Sequence, residues 1–304
     1  MTAYSIRFGG YQPARSVLTR GARRVGDELT RRLGPGVEFD LRENVTAAGR
    51  NATDLLSMTA GGALDLCYFS SSYLVARVPA LGLFDLPFQF ESRAQAYAAT
   101  DRFAARLAED VAAATDYRVL GFWDNGIRHI SNCRRPLVSP DDGHGLTIRT
   151  LDNDLHRRVF AALGFKPVTV DVRELATTVH ERRVDAQENP LTNLINFQLH
   201  QTHRFVTLTG HVFGVALVLC IKRRFDNWPT EVQAALCEAV TVATVIQRRE
   251  AEREDDVCLK ELLADGVVVT RADEFDRPAF AAAVADIREA AIAEAGIDPA
   301  APAL

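Results

Sequence analysis

Gly121-Phe122-Trp123-Asp124-Asn125-Gly126-Ile127-Arg128-His129-Ile130-Ser131-Asn132, followed after a polar connection by Gly145-Leu146-Thr147-Ile148-Arg149-Thr150, is the stretch on which the reading of this chain turns. Arg128 and Arg149 each sit inside or beside a strand-like apolar run. Arginine is rarely buried without a partner, and its planar fork suits two-point binding of a carboxylate or phosphate. One such arginine is most simply a structural ion pair. Two of them, with Trp123 nearby and Gln187-Glu188-Asn189-Pro190 further on, point to an anion site.

Working outward, strand and helix signals alternate on both sides of this stretch. Tyr4 to Phe8 reads as a strand, Pro13 to about Leu33 as a helix stopped by Gly34-Pro35-Gly36, and Val37 to Leu41 as a second strand. Ala52 to Ala60 reads as a helix. Leu64 to Phe69 is a continuous apolar run, as expected of a strand covered on both faces. An apolar loop around Pro79 and Pro87 leads to an alanine-rich helix, Ala94 to Thr115, and a strand, Tyr117 to Trp123. The pattern then restarts: strand Leu146–Thr150, helix Asp154–Leu163, strand Val168–Val172, helix Glu174–Glu181, strand Val184–Gln187. Such alternation predicts parallel βαβ units in two series, hence two domains, with a boundary near Asn125. Phe213 to Ile221 is a β-branched run suited to cross back to the first domain. From Thr230, placed as an N-cap, nothing breaks a helical pattern until Gly266; about 35 residues at roughly 1.5 Å each make either a rod of about 50 Å or two helices with a kink near Glu250. Val267–Thr270 reads as a late strand, Arg277–Ala295 as a final helix, and Pro299–Leu304 as a frayed tail.

The 304 residues suit two domains of ordinary size, and 47% hydrophobic with 25% charged residues is the balance of a water-soluble globular chain. A net charge of -5 with scattered basic pairs argues against a nucleic-acid partner. The five cysteines (Cys67, Cys133, Cys220, Cys237, Cys258) form neither a zinc pattern nor a disulfide framework. Cys67 and Cys220, in apolar runs, read as inert buried thiols. No apolar run approaches the roughly 18 residues that a membrane span needs. Met1-Thr2-Ala3 leads directly into a strand, so a signal peptide is absent from this sequence and is taken as already removed.

Catalytic patterns are missing. There is no Gly-x-Ser-x-Gly, no phosphate loop, no Gly-x-Gly-x-x-Gly after the first strand and no His-Glu-x-x-His. His200 and His203 read as a surface or capping pair. Asp185 reads as a structural hydrogen-bond acceptor rather than as an acid/base partner of Glu188. What remains is an anion site. Arg149 leaves the end of a strand, where ligands bind in open α/β sheets. Asn189, held extended by Pro190, leaves the next strand end, so the two are placed to approach one carboxylate.

Trp123-Asp124-Asn125-Gly126-Ile127-Arg128, Leu146-Thr147-Ile148-Arg149 and Val184-Asp185-Ala186-Gln187-Glu188-Asn189-Pro190, with Leu208-Thr209-Gly210-His211 and Trp228-Pro229, resemble the solute-binding subunits of TRAP (tripartite ATP-independent periplasmic) transporters. The branch in question is the DctP type, named for C4-dicarboxylate binding, and the likeness runs from about Tyr4 to Asp286. It implies an α/β, two-domain, periplasmic-binding-protein-like fold with a ligand cleft between domains and a long C-terminal helix spanning both. Domain I would comprise 1–124 and 213–250, and domain II 125–212 and 251–304. It further implies that Arg149 anchors the ligand carboxylate with Asn189, that Arg128 is a second basic contact, and that Tyr11, Ser70 and Ser71 face the cleft. Phe69 and Tyr73 are weaker candidates, and Trp123 reads as core. Val172 stands where the family usually has an aromatic that packs on the ligand, and Phe213 is a substitute surface for it. The function so implied is capture of a small organic acid and its delivery to the membrane permease subunits of a TRAP transporter, driven by an ion gradient. The protein would be periplasmic and monomeric, without cofactor or metal and without enzymatic activity. The alternatives are a cytoplasmic carboxylate-binding sensor and an enzyme on a similar scaffold.

Overall fold

The computed structural model describes residues 4–296; the tail expected at Pro299–Leu304 lies outside them. In chain order the elements are β1 (Tyr4–Gly9), α1 (Val17–Leu33), β2 (Val37–Arg42), α2 (Asp54–Ala60), β3 (Leu66–Ser70), α3 (Arg93–Ala114), β4 (Tyr117–Asn132), β5 (Thr147–Thr150), α4 (Asp154–Ala162), β6 (Lys166–Thr169), α5 (Val172–His180), β7 (Ala186–Pro190), α6 (Leu191–Asn196), β8 (Phe205–Ile221), α7 (Lys222–Asp226), α8 (Thr230–Ala264), β9 (Val268–Thr270), α9 (Arg277–Ala283) and α10 (Ala285–Ala295). The chain forms two compact units. Unit 1 holds the residues up to Ser71, Phe103–Asn125 and Val215–Arg253; unit 2 holds Ser72–Arg102, Gly126–Gly214 and the residues from Glu254 on. The segment Ser72–Arg102, expected in the first domain, therefore belongs to the second. Among the described residues no helix is long and apolar enough to cross a membrane.

In unit 1, β1 pairs in parallel with β2 (Ile6 beside Phe39) and β3, and β3 pairs antiparallel with β8 (Cys67 beside Leu219). Helix α1 starts at Val17 rather than Pro13, because the Ser16 hydroxyl accepts from Leu18 N at 3.2 Å and caps it. Its buried Leu18, Ala22, Val25 and Leu29 recur at helical spacing and face the sheet. Trp123 is core, as read: it stacks on Phe8 at 6.2 Å and its indole N–H donates to Thr244 on α8 at 3.0 Å. The next residue is tied to the same helix, since the Gln247 amide accepts from Asp124 N at 2.9 Å and donates to Asp124 O at 2.7 Å.

In unit 2, β4 pairs antiparallel with β7 (Ile130 beside Glu188), β7 in parallel with β5, β5 in parallel with β6, and β8 in parallel with β9. Strand β4 does not stop at Trp123. It runs on to Asn132 through Gly126, whose φ of +95° suits glycine and where a Cβ would collide with the Pro190 ring. The strand expected at Val168–Val172 is β6, ending at Thr169. Val172 instead opens α5, because the Asp171 carboxylate accepts from Arg173 N at 2.9 Å and caps a helix there. Thr230 is the first residue of α8 rather than its cap, and the final helix is divided into α9 and α10.

Candidate functional site

Strands β5 and β7 lie side by side in unit 2 with Arg149 beside Gln187. Asn189, two residues on, shares that face, because side chains alternate along a strand. Arg149 is only 2% exposed. Its Nε and Nη2 both donate to the Val170 carbonyl, at 2.9 and 2.6 Å, and the Tyr73 phenol lies near enough to feel its charge. Among the described residues, no carboxylate is paired with it. A carbonyl and a phenol solvate the guanidinium without neutralising it. Burial raises the Tyr73 phenol above its ordinary value, with Arg149 opposing that shift and Asp171 adding to it.

Asn189 closes a chain of amides and hydroxyls. Its Nδ2 donates to Gln187 Oε1 at 2.6 Å, and Gln187 Nε2 donates to Ser131 Oγ at 2.6 Å. Ser131 Oγ in turn lies 3.1 Å from His203 Nδ1. The Asn189 carbonyl accepts from Asn193 at 2.8 Å. One amide N–H offered for a carboxylate is thus engaged inside the protein. His203 and His200 are buried, not a surface pair; burial lowers His203 to about 4 and keeps it neutral.

Arg128, the second predicted basic contact, already has a carboxylate. Its Nε and Nη2 grip both oxygens of Glu188 at 2.5 and 2.7 Å, with the pair essentially dry. Burial alone would raise Glu188, but the Arg128 charge, with the His156 and His211 rings at 3.9 and 3.5 Å from its oxygens, holds it well below the usual carboxylate range. His156 lies between two carboxylates: Nε2 is 3.2 Å from Asp85 Oδ1, and Nδ1 is 3.9 Å from Glu188 Oε1. Burial opposes its charging, yet Asp85 and Glu188 raise it to about 9. Asp85 is itself held by Ser72 Oγ at 2.6 Å and Asn153 Nδ2 at 2.9 Å. Nothing in the sequence signalled this array, because Asp85, Arg128, His156 and Glu188 have no characteristic spacing. Asp185 accepts from Thr147 N and Oγ1 at 3.0 and 2.9 Å, the structural role expected of it.

In unit 1, uncharged groups follow the ends of β1 and β3. Tyr11 is buried, its ring 5.5 Å from those of both Tyr68 and Phe69. Ser70 ends β3, and the buried Ser71 opens a single turn to Tyr73. The Ser71 hydroxyl and both polar atoms of the Gln12 amide, which is 1% exposed, have no hydrogen-bond partner among the described residues. Gln12 was missed by sequence reasoning, since one glutamine after a strand carries no signal.

Two predicted wall residues have apolar neighbours within unit 2. Val172 packs on the cluster of Leu175, Val179, Val184 and Leu199. Phe213 meets Phe90 and Tyr97 edge-on at 6.3 and 5.8 Å, and lines a cavity of about 330 Å³ whose walls include Ile127, His129 and Arg277 but neither Arg149 nor Asn189. Among the described residues no group of three or more His, Cys, Asp or Glu is arranged to hold a metal ion.

Residues 8–294 match the model of the bacterial extracellular solute-binding proteins, family 7. The chain belongs to that family. The 2,3-diketo-L-gulonate-binding periplasmic protein YiaO of Escherichia coli (strain K12) is 28% identical to this family 7 protein, over 93% of this chain and 85% of its own length. A solute-binding protein of Verminephrobacter eiseniae is 31% identical, over 74% and 67% respectively. A TRAP periplasmic solute-binding protein from Polaromonas sp. JS666, crystallised with D-erythronate, superposes with a TM-score of 0.92 at 25% identity and covers 99% of both chains.

Proposed function

We propose that this family 7 protein captures a small organic acid outside the cytoplasm and delivers it to the membrane permease subunits of a TRAP transporter, acting as a binding protein rather than an enzyme. The observation that carries this reading is Arg149: a guanidinium 2% exposed, at the carboxyl end of β5, with two hydrogen bonds to a carbonyl and no carboxylate paired with it among the described residues. A buried cation left in that state is stabilised by an anionic ligand, and the fork matches a carboxylate. Asn189 on the adjacent strand is proposed as the neighbouring polar contact, and Tyr73 as a phenol against the same guanidinium. Arg128 is proposed to act by keeping Glu188 and Asn189 in place. Tyr11, Ser70, Ser71 and Gln12 are proposed as the polar and aromatic contacts that unit 1 offers. The relatives support the ligand class, being named for or crystallised with 2,3-diketo-L-gulonate and D-erythronate. The test is a thermal-shift screen of the purified protein against an organic-acid library. A raised melting temperature with at least one acid, lost in Arg149→Ala, is the expected outcome; a shift retained in Arg149→Ala refutes the assignment.

A further inference from the structure

The buried charges of unit 2 constrain the acid further. Three cations lie in the dry interior, Arg149, Arg128 and His156, at 2, 4 and 2% exposure. Two buried carboxylates face them. Glu188 is gripped at both oxygens by Arg128, and Asp85 lies 3.2 Å from His156 Nε2. Once those pairs are formed, one positive charge is left over, that of Arg149. His211, His129 and Asp171 add no positive charge to this array. His211 Nε2 is 3.5 Å from Glu188 and its ring is neutral, burial having lowered it. His129, lowered to about 3 by burial, is neutral as well. Asp171 adds a negative charge beside Tyr73, whose phenol also feels the Arg149 charge.

We infer that the ligand carries one carboxylate and no second negative charge: a monocarboxylate whose remaining groups are uncharged. This rests on the assignment of Arg149 as the anchor and narrows it. A second carboxylate brought into this interior would find Arg128 occupied by Glu188, and would stand unpaired beside Glu188, Asp85 and Asp171. An unpaired buried charge is strongly unfavourable, whereas hydroxyl and carbonyl groups need only hydrogen bonds.

The experiment is calorimetric titration of the wild-type protein near neutral pH. D-gluconate, D-galactonate, D-glucuronate, pyruvate and benzoate are compared with succinate, L-malate and 2-oxoglutarate. The expected result is that the tightest binder is a monocarboxylate and that each dicarboxylate binds at least about 100-fold more weakly. A dicarboxylate that binds as tightly as the best monocarboxylate overturns the charge argument while leaving the carboxylate site intact. Failure of all eight to bind overturns the carboxylate reading of Arg149, and this inference with it.

Discussion

The strand ends of the two units differ in kind. In unit 1, β1 and β3 end in Tyr11, Gln12, Ser70 and Ser71, all buried and all uncharged in the neutral range. In unit 2, β5 and β7 end among Arg149, Glu188 and Asn189, with Arg128, His156 and Asp85 packed around them. One unit thus offers hydrogen bonds and aromatic surface, the other offers charge. The contrast also separates the two arginines that first drew attention. Arg128 is paired with the carboxylate of Glu188. Arg149 has no carboxylate paired with it among the described residues.

The largest effect that can break this contrast is on Glu188. Removing one partner of a buried pair leaves the other charge uncompensated and typically costs about 3–5 kcal/mol. Glu188→Ala should therefore lower unfolding stability by that amount in a urea titration. A loss of well under 1 kcal/mol would mean that Arg128 is not held by Glu188 in solution.

The second effect is on pH. His156 is raised from 6.5 to about 9 in the folded protein, so its contribution is fully present below about 6.5 and is lost as pH rises through about 9. At about 1.4 kcal/mol per pKa unit, the decline is on the order of 3 kcal/mol. His129 and His203, lowered to about 3 and about 4, act in the opposite sense. They destabilise the fold as pH falls below about 6.5, because the unfolded chain takes up protons that the folded one refuses. Unfolding curves between pH 6.5 and 9 should show the decline in the wild type and a flatter profile in His156→Gln. Identical profiles would place the His156 charge elsewhere.

The smallest effect belongs to unit 1. Because both polar atoms of the Gln12 amide lack partners, Gln12→Leu removes no hydrogen bond seen in the fold, and replacing an unsatisfied buried amide is neutral or stabilising. Its unfolding free energy should stay within about 1 kcal/mol of wild type or rise. A loss of more than about 2 kcal/mol would show that the amide is satisfied within the protein and is not available to a ligand.

Much of this arrangement was legible in the chain, and what was not has identifiable causes. No glycine or proline interrupts α8 between Thr230 and Ala264, which left one rod or two helices kinked near Glu250, and the family resemblance implied the single rod. The placement of Arg149 and Asn189 on adjacent strand ends followed from Leu146–Thr150 and from the restriction that Pro190 imposes. Strand β4 was cut short in the reading because Asp124-Asn125-Gly126 carries turn chemistry, which here serves a strand passing close to Pro190. Val172 looked like strand because it is β-branched, but the cap from Asp171 decided for helix. Phe213 was assigned on size and apolarity alone, and those qualities also suit a place between Phe90 and Tyr97. The Asp85–His156–Glu188–Arg128 array joins residues from four separate elements through tertiary packing, which no local pattern encodes. Assignment of Ser72–Arg102 to unit 2 has the same origin: Ser72 and Asp85 are held there by Asn153 and His156.

The central claim is that Arg149 is a cation awaiting an external carboxylate, and calorimetric titration of Arg149→Ala with the acid that the wild type binds tests it most directly. Losing one partner of a buried, hydrogen-bonded charge pair costs roughly 2–5 kcal/mol, so binding should weaken by about 30-fold to several thousand-fold. Arg149→Lys, which keeps the charge without the fork, should fall between. The melting temperature without ligand should hold or rise, because no internal carboxylate loses its partner. Wild-type affinity in Arg149→Ala would contradict the account, and so would a ligand-free protein that unfolds on losing this arginine.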